Sequence, residues 1–214
     1  MTSATQRVLS ALVLIPLLLA LIFLAPDRIF SVVITAAILI AAAELRRLVP
    51  GTAAFVALLV AYVAWPLFLL QVIRQGYGAG ALMTMIGLIV VSDSAQYYTG
   101  RAFGRRKLAP VISPKKTVEG AIGGAVFGTV SGVAFAHYWV PSMPVVWAVV
   151  MSLLMSIAGM AGDLFESAMK RRVGLKDSGN LIPGHGGLLD RIDSWLFAAP
   201  VFWLFLKFFA RAGS

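Results

Sequence analysis

The sequence predicts an all-α, polytopic transmembrane bundle of about seven spans with its N-terminus in the cytoplasm, and three observations carry that prediction. Of the 214 residues, 60% are hydrophobic and only 13% charged. Mean hydropathy is +0.90, a level at which a water-soluble domain would expose large apolar surfaces. The apolar residues fall in runs close to the roughly 20 residues that a helix needs to cross a bilayer. The third observation is charge placement: 18 Lys and Arg against 9 Asp and Glu, gathered in alternate connections between the runs. The absence of cysteine excludes disulfides, thiolate metal sites and cysteine nucleophiles.

Seven runs qualify in chain order: Val8 to Ala25, Ile29 to Ala43, Ala53 to Ile73, Ala79 to Thr99, Val118 to Trp139, Val145 to Met169, and Ile192 to Phe209. The first follows Arg7 as a signal peptide would. It leads into Pro26-Asp27-Arg28 rather than a small-residue cleavage site, so it is expected to stay as a span. The second is short and is expected to tilt or merge with its neighbour. The fifth, GAIGGAVFGTVSGVAFAHYW, is rich in Gly and other small residues that allow close helix contact. With the N-terminus inside, fourteen Lys and Arg fall on the cytoplasmic side and four outside, as the positive-inside rule requires. Two polar connections, Gly100 to Thr117 and Lys170 to Arg191, then face the cytoplasm. No internal repeat divides the chain, which reads as one membrane domain: spans without a motif over 1–91, the chemistry-bearing region over 92–193, and the last span over 192–209.

Seven of the nine acidic residues lie between Asp93 and Asp193, on or beside those two connections. At the end of the sixth run, GDLFESAMKRR places Asp163, Glu166, Ser167 and Lys170 at i, i+3, i+4 and i+7, one helical face. An ionised Asp facing lipid there would cost on the order of 3 kcal/mol, so Asp163 is expected to face a wet cavity or a cation. A helix end that is merely solvated by its charges is the plainest alternative. Lys176 and Asp177 then lead through a turn-forming PGHGG to Asp190 and Asp193, three residues apart on another helical face. Three Asp, no Cys and a single nearby His favour a hard, oxygen-loving cation such as Mg2+ over zinc. His185 reads as a phosphate contact or loop support more readily than as a catalyst, and its neighbours Gly186 and Gly187 permit close backbone approach to an anion.

The other connection starts with Asp93 inside the fourth run, with Tyr97 one turn on, then Arg101 and the segment SPKKTVEG. Ser113 and Lys115-Lys116 there precede a helix start that Thr117 caps, and helix N-termini beside lysines attract phosphate. Anchoring to anionic headgroups explains part of this basic stretch but not Asp93 within a span.

These residues resemble the phosphatidate cytidylyltransferase (CDP-diacylglycerol synthase) family. SAMKRRVGLKDSGNLIPGHGGLLDRID, from Ser167 to Asp193, is similar to that family's signature, and the likeness extends upstream through Gly162-Asp163 to SDSAQYYTGRAFGRRKLAPVISPKKTVEG. It implies a helical membrane enzyme of the bacterial inner membrane with its site at the cytoplasmic face. CTP and phosphatidate are the implied substrates, Mg2+ the cofactor with a second cation such as K+ beside it, and a homodimer the assembly; no nucleic-acid partner is expected. Carried over by position, Asp163, Asp190 and Asp193 are the metal-centred carboxylates, Ser167 and Lys170 stand beside them, and Lys115 and Lys116 lie near phosphate. Asp93, Tyr97, Arg101, Ser113, Glu166, Arg171, Lys176, Asp177, His185, Gly186, Gly187 and Arg191 are the expected supporting contacts. Two other readings remain: a CTP-using lipid kinase, and a transporter whose Asp residues line an ion path. Clustering at one membrane face counts against the transporter.

Overall fold

The computed structural model describes residues 3–181 and 186–209, with side chains from residue 12 onward. Helix α1 covers Ser3–Phe23 and α2 covers Asp27–Leu48. A third apolar segment is helix α3 (Thr52–Leu58), a stretch of wider π turns (Leu59–Ala64) and helix α4 (Trp65–Tyr77). After it come α5 (Ala79–Phe103), strands β1 (Lys107–Ala109) and β2 (Ser113–Thr117), and helices α6 (Val118–Trp139), α7 (Val145–Arg172) and α8 (Leu189–Phe209). Among the described residues, six helices are long and apolar enough to cross a membrane, and α1 adds a shorter apolar stretch before them, so the chain is a multi-pass membrane protein.

Three expectations are corrected. The second span is full length at 22 residues rather than short, because Glu44, Arg46 and Arg47 continue the helix beyond the apolar run. The third span is not a uniform α-helix. Pro66 offers no N–H to the carbonyl one turn before it, and the π turns lie immediately ahead of it. The connection from Gly100 to Thr117 is not loop throughout. Helix α5 continues to Phe103, and an antiparallel hairpin pairs Lys107 with Thr117 and Ala109 with Ser113.

Packing follows the small residues. On α6, Gly120, Gly124, Gly128, Gly132 and Ala136 recur every four residues and are all buried, forming one face on which other backbones come close. A methyl group at Gly120 would stand 2.7 Å from the backbone oxygen of Gln96 and 3.1 Å from the Cα of Gly100, so α5 and α6 touch nearly backbone to backbone. At Gly162 of α7 it would collide with the backbone carbonyl of Asp193 on α8. Arg74, near the C-terminal end of α4, ties that end of the bundle together. Its Nε donates to the carbonyl of Ile22 at 2.9 Å, its other nitrogens reach Ala25 and Asp27, and its guanidinium stacks on Phe30 at 4.7 Å. The polar residues of interest gather at the opposite end, where α2, α5 and α7 finish and α6 and α8 begin.

Candidate active site

A cleft of about 670 Å³ opens at that end, lined by Asp93, Gln96, Tyr97, Gly100, Arg101, Lys115, Lys116, Thr117, Asp163, Lys170, Asp177, Asp190, Arg191, Asp193 and Ser194. Four elements and the loop before α8 supply it: the last turns of α5 and α7, strand β2, the first turn of α8, and Asp177 from that loop. Thr117 caps α6 as the sequence predicts, its hydroxyl accepting from the N–H of Gly120 at 3.1 Å. Glu119 accepts from the backbone N–H groups of Arg105 at 3.0 Å and Arg106 at 3.2 Å. The hairpin is thereby held onto the α6 start, and Lys115 and Lys116 are held at the rim.

Charges alternate across the cleft. Lys116 forms an ion pair with Asp163, whose other carboxylate oxygen accepts from the Ser167 hydroxyl at 3.3 Å. Lys170 meets Asp190 at 2.5 Å and Glu166 at 3.3 Å. Two lysines thus pair with three carboxylates in surroundings where an unpaired charge is costly. Asp190 is the most heavily engaged: its Oδ2 accepts from Ser178 N at 2.8 Å, Ser178 Oγ at 3.0 Å and Gly187 N at 2.8 Å. Asp193 is buried, with Oδ1 accepting from the N–H of Ser194 at 2.7 Å.

Most predicted site residues converge here. Asp93, Tyr97, Arg101, Lys115, Lys116, Asp163, Lys170, Asp177, Asp190, Arg191 and Asp193 all line the cleft, and Arg101 reaches the Tyr97 hydroxyl at 3.4 Å. Others stand behind or beside it. Glu166 is fully buried beneath Lys170. Ser113 opens β2 off the cleft wall, and Arg171 binds the carbonyls of Ile112 and Leu175 at 3.3 Å and 2.9 Å, joining α7 to the hairpin. Lys176 is exposed. Gly186 adopts φ of 86°, a conformation open to glycine and strained for other residues, and Gly187 donates to Asp190. His185 lies outside the described residues.

The donor set suits a hard cation: carboxylate oxygens, no thiolate, and phosphate-sized space. Among the described residues, however, no three acidic or histidine side chains converge on one point as a ready coordination shell.

Sequence reasoning did not single out Gln96, Ser178, Ser194 or Glu44. Gln96 and Ser194 are buried and line the cleft, but as single polar residues they carry no charge pattern to mark them. Glu44 is 5% exposed at the end of α2. The one available signal for it was an acidic residue closing an apolar run, a default indication of function within a membrane.

Comparison with known proteins agrees with this geometry. A model of the cytidylyltransferase family matches residues 49–209, all of the chain from just after α2 to the end of α8. The phosphatidate cytidylyltransferase of Bacillus subtilis is 42% identical over 134 residues, 63% of this chain and 50% of its own length. That of Haemophilus influenzae is 43% identical over 136 residues, 62% of this chain and 47% of its own. A protein of Escherichia coli called YnbB is 43% identical over 147 residues, 69% of this chain and 49% of its own. The chain spans about half the length of the curated relatives it matches. The matched residues carry both connections, the hairpin and the whole charged cleft, and on that footing the chain belongs to the cytidylyltransferase family.

Proposed function

We propose that the chain is a phosphatidate cytidylyltransferase, converting CTP and phosphatidate to CDP-diacylglycerol and pyrophosphate. The observation that carries this reading is the cleft: phosphate-attracting lysines and carboxylates face one another at the end of a membrane bundle. A lipid headgroup and a water-soluble nucleotide meet at such a place without the acyl chains leaving the bilayer. The relatives named phosphatidate cytidylyltransferase support the choice of substrates.

In the proposed reaction an oxygen of the phosphatidate phosphate attacks the α-phosphorus of CTP. The bond from that phosphorus to the oxygen bridging to the β-phosphorus breaks, and pyrophosphate leaves with its electron pair. Phosphatidate is already anionic near neutral pH, so the protein's task is to bring two anions together. Lys116, Lys115, Arg101 and Arg191 draw the phosphates into the cleft. Lys170, held by Asp190 and Glu166, presents fixed positive charge from the opposite wall. Asp163 and Asp193, with Asp190 ordering the start of α8 between them and the loop, would hold Mg2+ brought in with the nucleotide, and a second cation such as K+ is proposed beside it. Bound there, Mg2+ supplies charge neutralisation for the transferring phosphoryl group.

The positive-inside distribution supports placing this face in the cytoplasm of a bacterial inner membrane, and family resemblance supports a homodimer. The test is purified full-length protein with CTP, phosphatidate and Mg2+, followed by lipid mass analysis. CDP-diacylglycerol and free pyrophosphate are expected, and Asp190→Asn is expected to lower turnover at least about 100-fold while the protein stays folded. A phosphorylated lipid with CDP as co-product would instead identify a kinase, and full activity of Asp190→Asn would reject the assigned site.

A further inference from the structure

Helix α2 precedes the family-matched region, yet it sends one side chain into the site's framework. The Glu44 carboxylate crosses to the start of α8, where Oε1 accepts from Leu188 N at 2.9 Å and Oε2 from Leu189 N at 2.8 Å. These are N–H groups that the first turn of a helix leaves without intrahelical partners. The Ser178 hydroxyl lies 3.1 Å from Glu44 Oε2 and 3.0 Å from Asp190 Oδ2, so its one proton is within reach of either carboxylate. Two glycines make the room. A methyl group at Gly179 would stand 2.6 Å from Glu44 Oε1, and one at Gly187 would stand 2.6 Å from the same atom.

We infer that Glu44 is a positioning residue that clamps the loop before α8 to the end of α2, and so fixes Asp190 and Asp193 in the cleft. It touches none of the cleft-lining charges directly. Its hold runs through the backbone of Leu188 and Leu189, adjacent to Asp190, and through the hydroxyl of Ser178, which Asp190 also uses. Interactions of this supporting kind typically cost 10–100-fold in activity when removed, because the groups that act on substrate lose their orientation.

The kinetic part of the test rests on the cytidylyltransferase reading, so a second measurement stands apart from activity. Full-length protein is reconstituted in phosphatidate-containing vesicles as wild type, Glu44→Ala, Glu44→Gln and Ser178→Ala. Turnover with CTP and Mg2+ is measured alongside trypsin cleavage after the exposed Lys176 and after Arg105, just ahead of the hairpin. Glu44→Ala is expected to lower kcat about 10–100-fold with the KM for CTP within about twofold, and to speed cleavage at Lys176 but not at Arg105. Glu44→Gln, which keeps one acceptor, should recover part of both effects, and Ser178→Ala should weaken the clamp in the same direction. Unchanged kcat and unchanged cleavage in Glu44→Ala would overturn the inference, as would equal acceleration at both sites, the mark of general unfolding. If wild-type protein makes no CDP-lipid while Glu44→Ala still exposes Lys176 selectively, the clamp stands and the proposed activity falls.

Discussion

At Asp190 one carboxylate gathers an ammonium group, two backbone N–H groups and a hydroxyl from α7, from the loop and from its own helix start. That degree of engagement makes it the joint of the site, whereas among the described residues Asp163 meets only Lys116 and Ser167 and is freer to exchange partners when a phosphate arrives. The two lysines of β2 differ in the same way. Lys116 is partly buried against Asp163, and Lys115 is exposed. Replacing Lys116 with Ala is therefore expected to lower kcat/KM for CTP about 100-fold, and replacing Lys115 less than about tenfold, since an exposed charge is screened by solvent. Steady-state kinetics on the two variants decides the matter, and the reverse ranking would contradict the arrangement. Asp93, Asp163, Asp190 and Asp193 were legible in the sequence because a carboxylate inside or beside an apolar run needs a reason. Glu44 closes an apolar run too, but its role was not legible, because its partners lie 134 to 145 residues away in the chain and no spacing rule reaches that far.

Among the elements, α6 shows how composition becomes geometry. Its buried glycines let α5 approach closely enough that Asp93 and Gln96 on one helix and Lys116 just ahead of the other share a single cleft. Gly120→Ala should destabilise the protein by about 1–3 kcal/mol through overpacking, because the nearest atom it would strike, the Gln96 carbonyl oxygen, and the Gly100 Cα beside it are backbone and cannot swing aside. A methyl group at Gly76 in α4 would meet nothing within 4 Å. That exchange should be neutral or should stabilise by up to about 1 kcal/mol through helix propensity. Thermal unfolding in detergent compares the two, and equal midpoints would refute the close approach. The hairpin between α5 and α6 escaped the sequence reading for a related reason. Its two strands are three and five residues long, too short for an alternating pattern, and they are held by Glu119 and Arg171 rather than by a core of their own.

Across the whole molecule, charge separates the two ends of the bundle. The site end carries the hairpin, the cleft and the loop before α8, and the other end carries Arg74 and the turn between α6 and α7. The absence of cysteine makes the orientation directly testable with single-cysteine variants and a membrane-impermeant maleimide. Lys176→Cys should label in inside-out vesicles and not in right-side-out ones, and exposed Ser142→Cys, at the other end of the bundle, should do the reverse. The opposite pattern would place the cleft away from cytosolic CTP and would remove the proposed substrate from reach.

Hydropathy, charge asymmetry and the spacing of acidic residues were enough to determine a helical membrane protein, most of its spans to within a few residues, and the two segments that build the site. Each of these follows from local chemistry: an apolar run must leave water, and a charge within it must find a partner. Only the tertiary structure decided how the lysines divide the carboxylates among themselves, where the wide turns interrupt the third span, and that α2 reaches across to hold the start of α8. Those outcomes depend on which backbones approach which, and that approach is set by packing between helices distant in the chain.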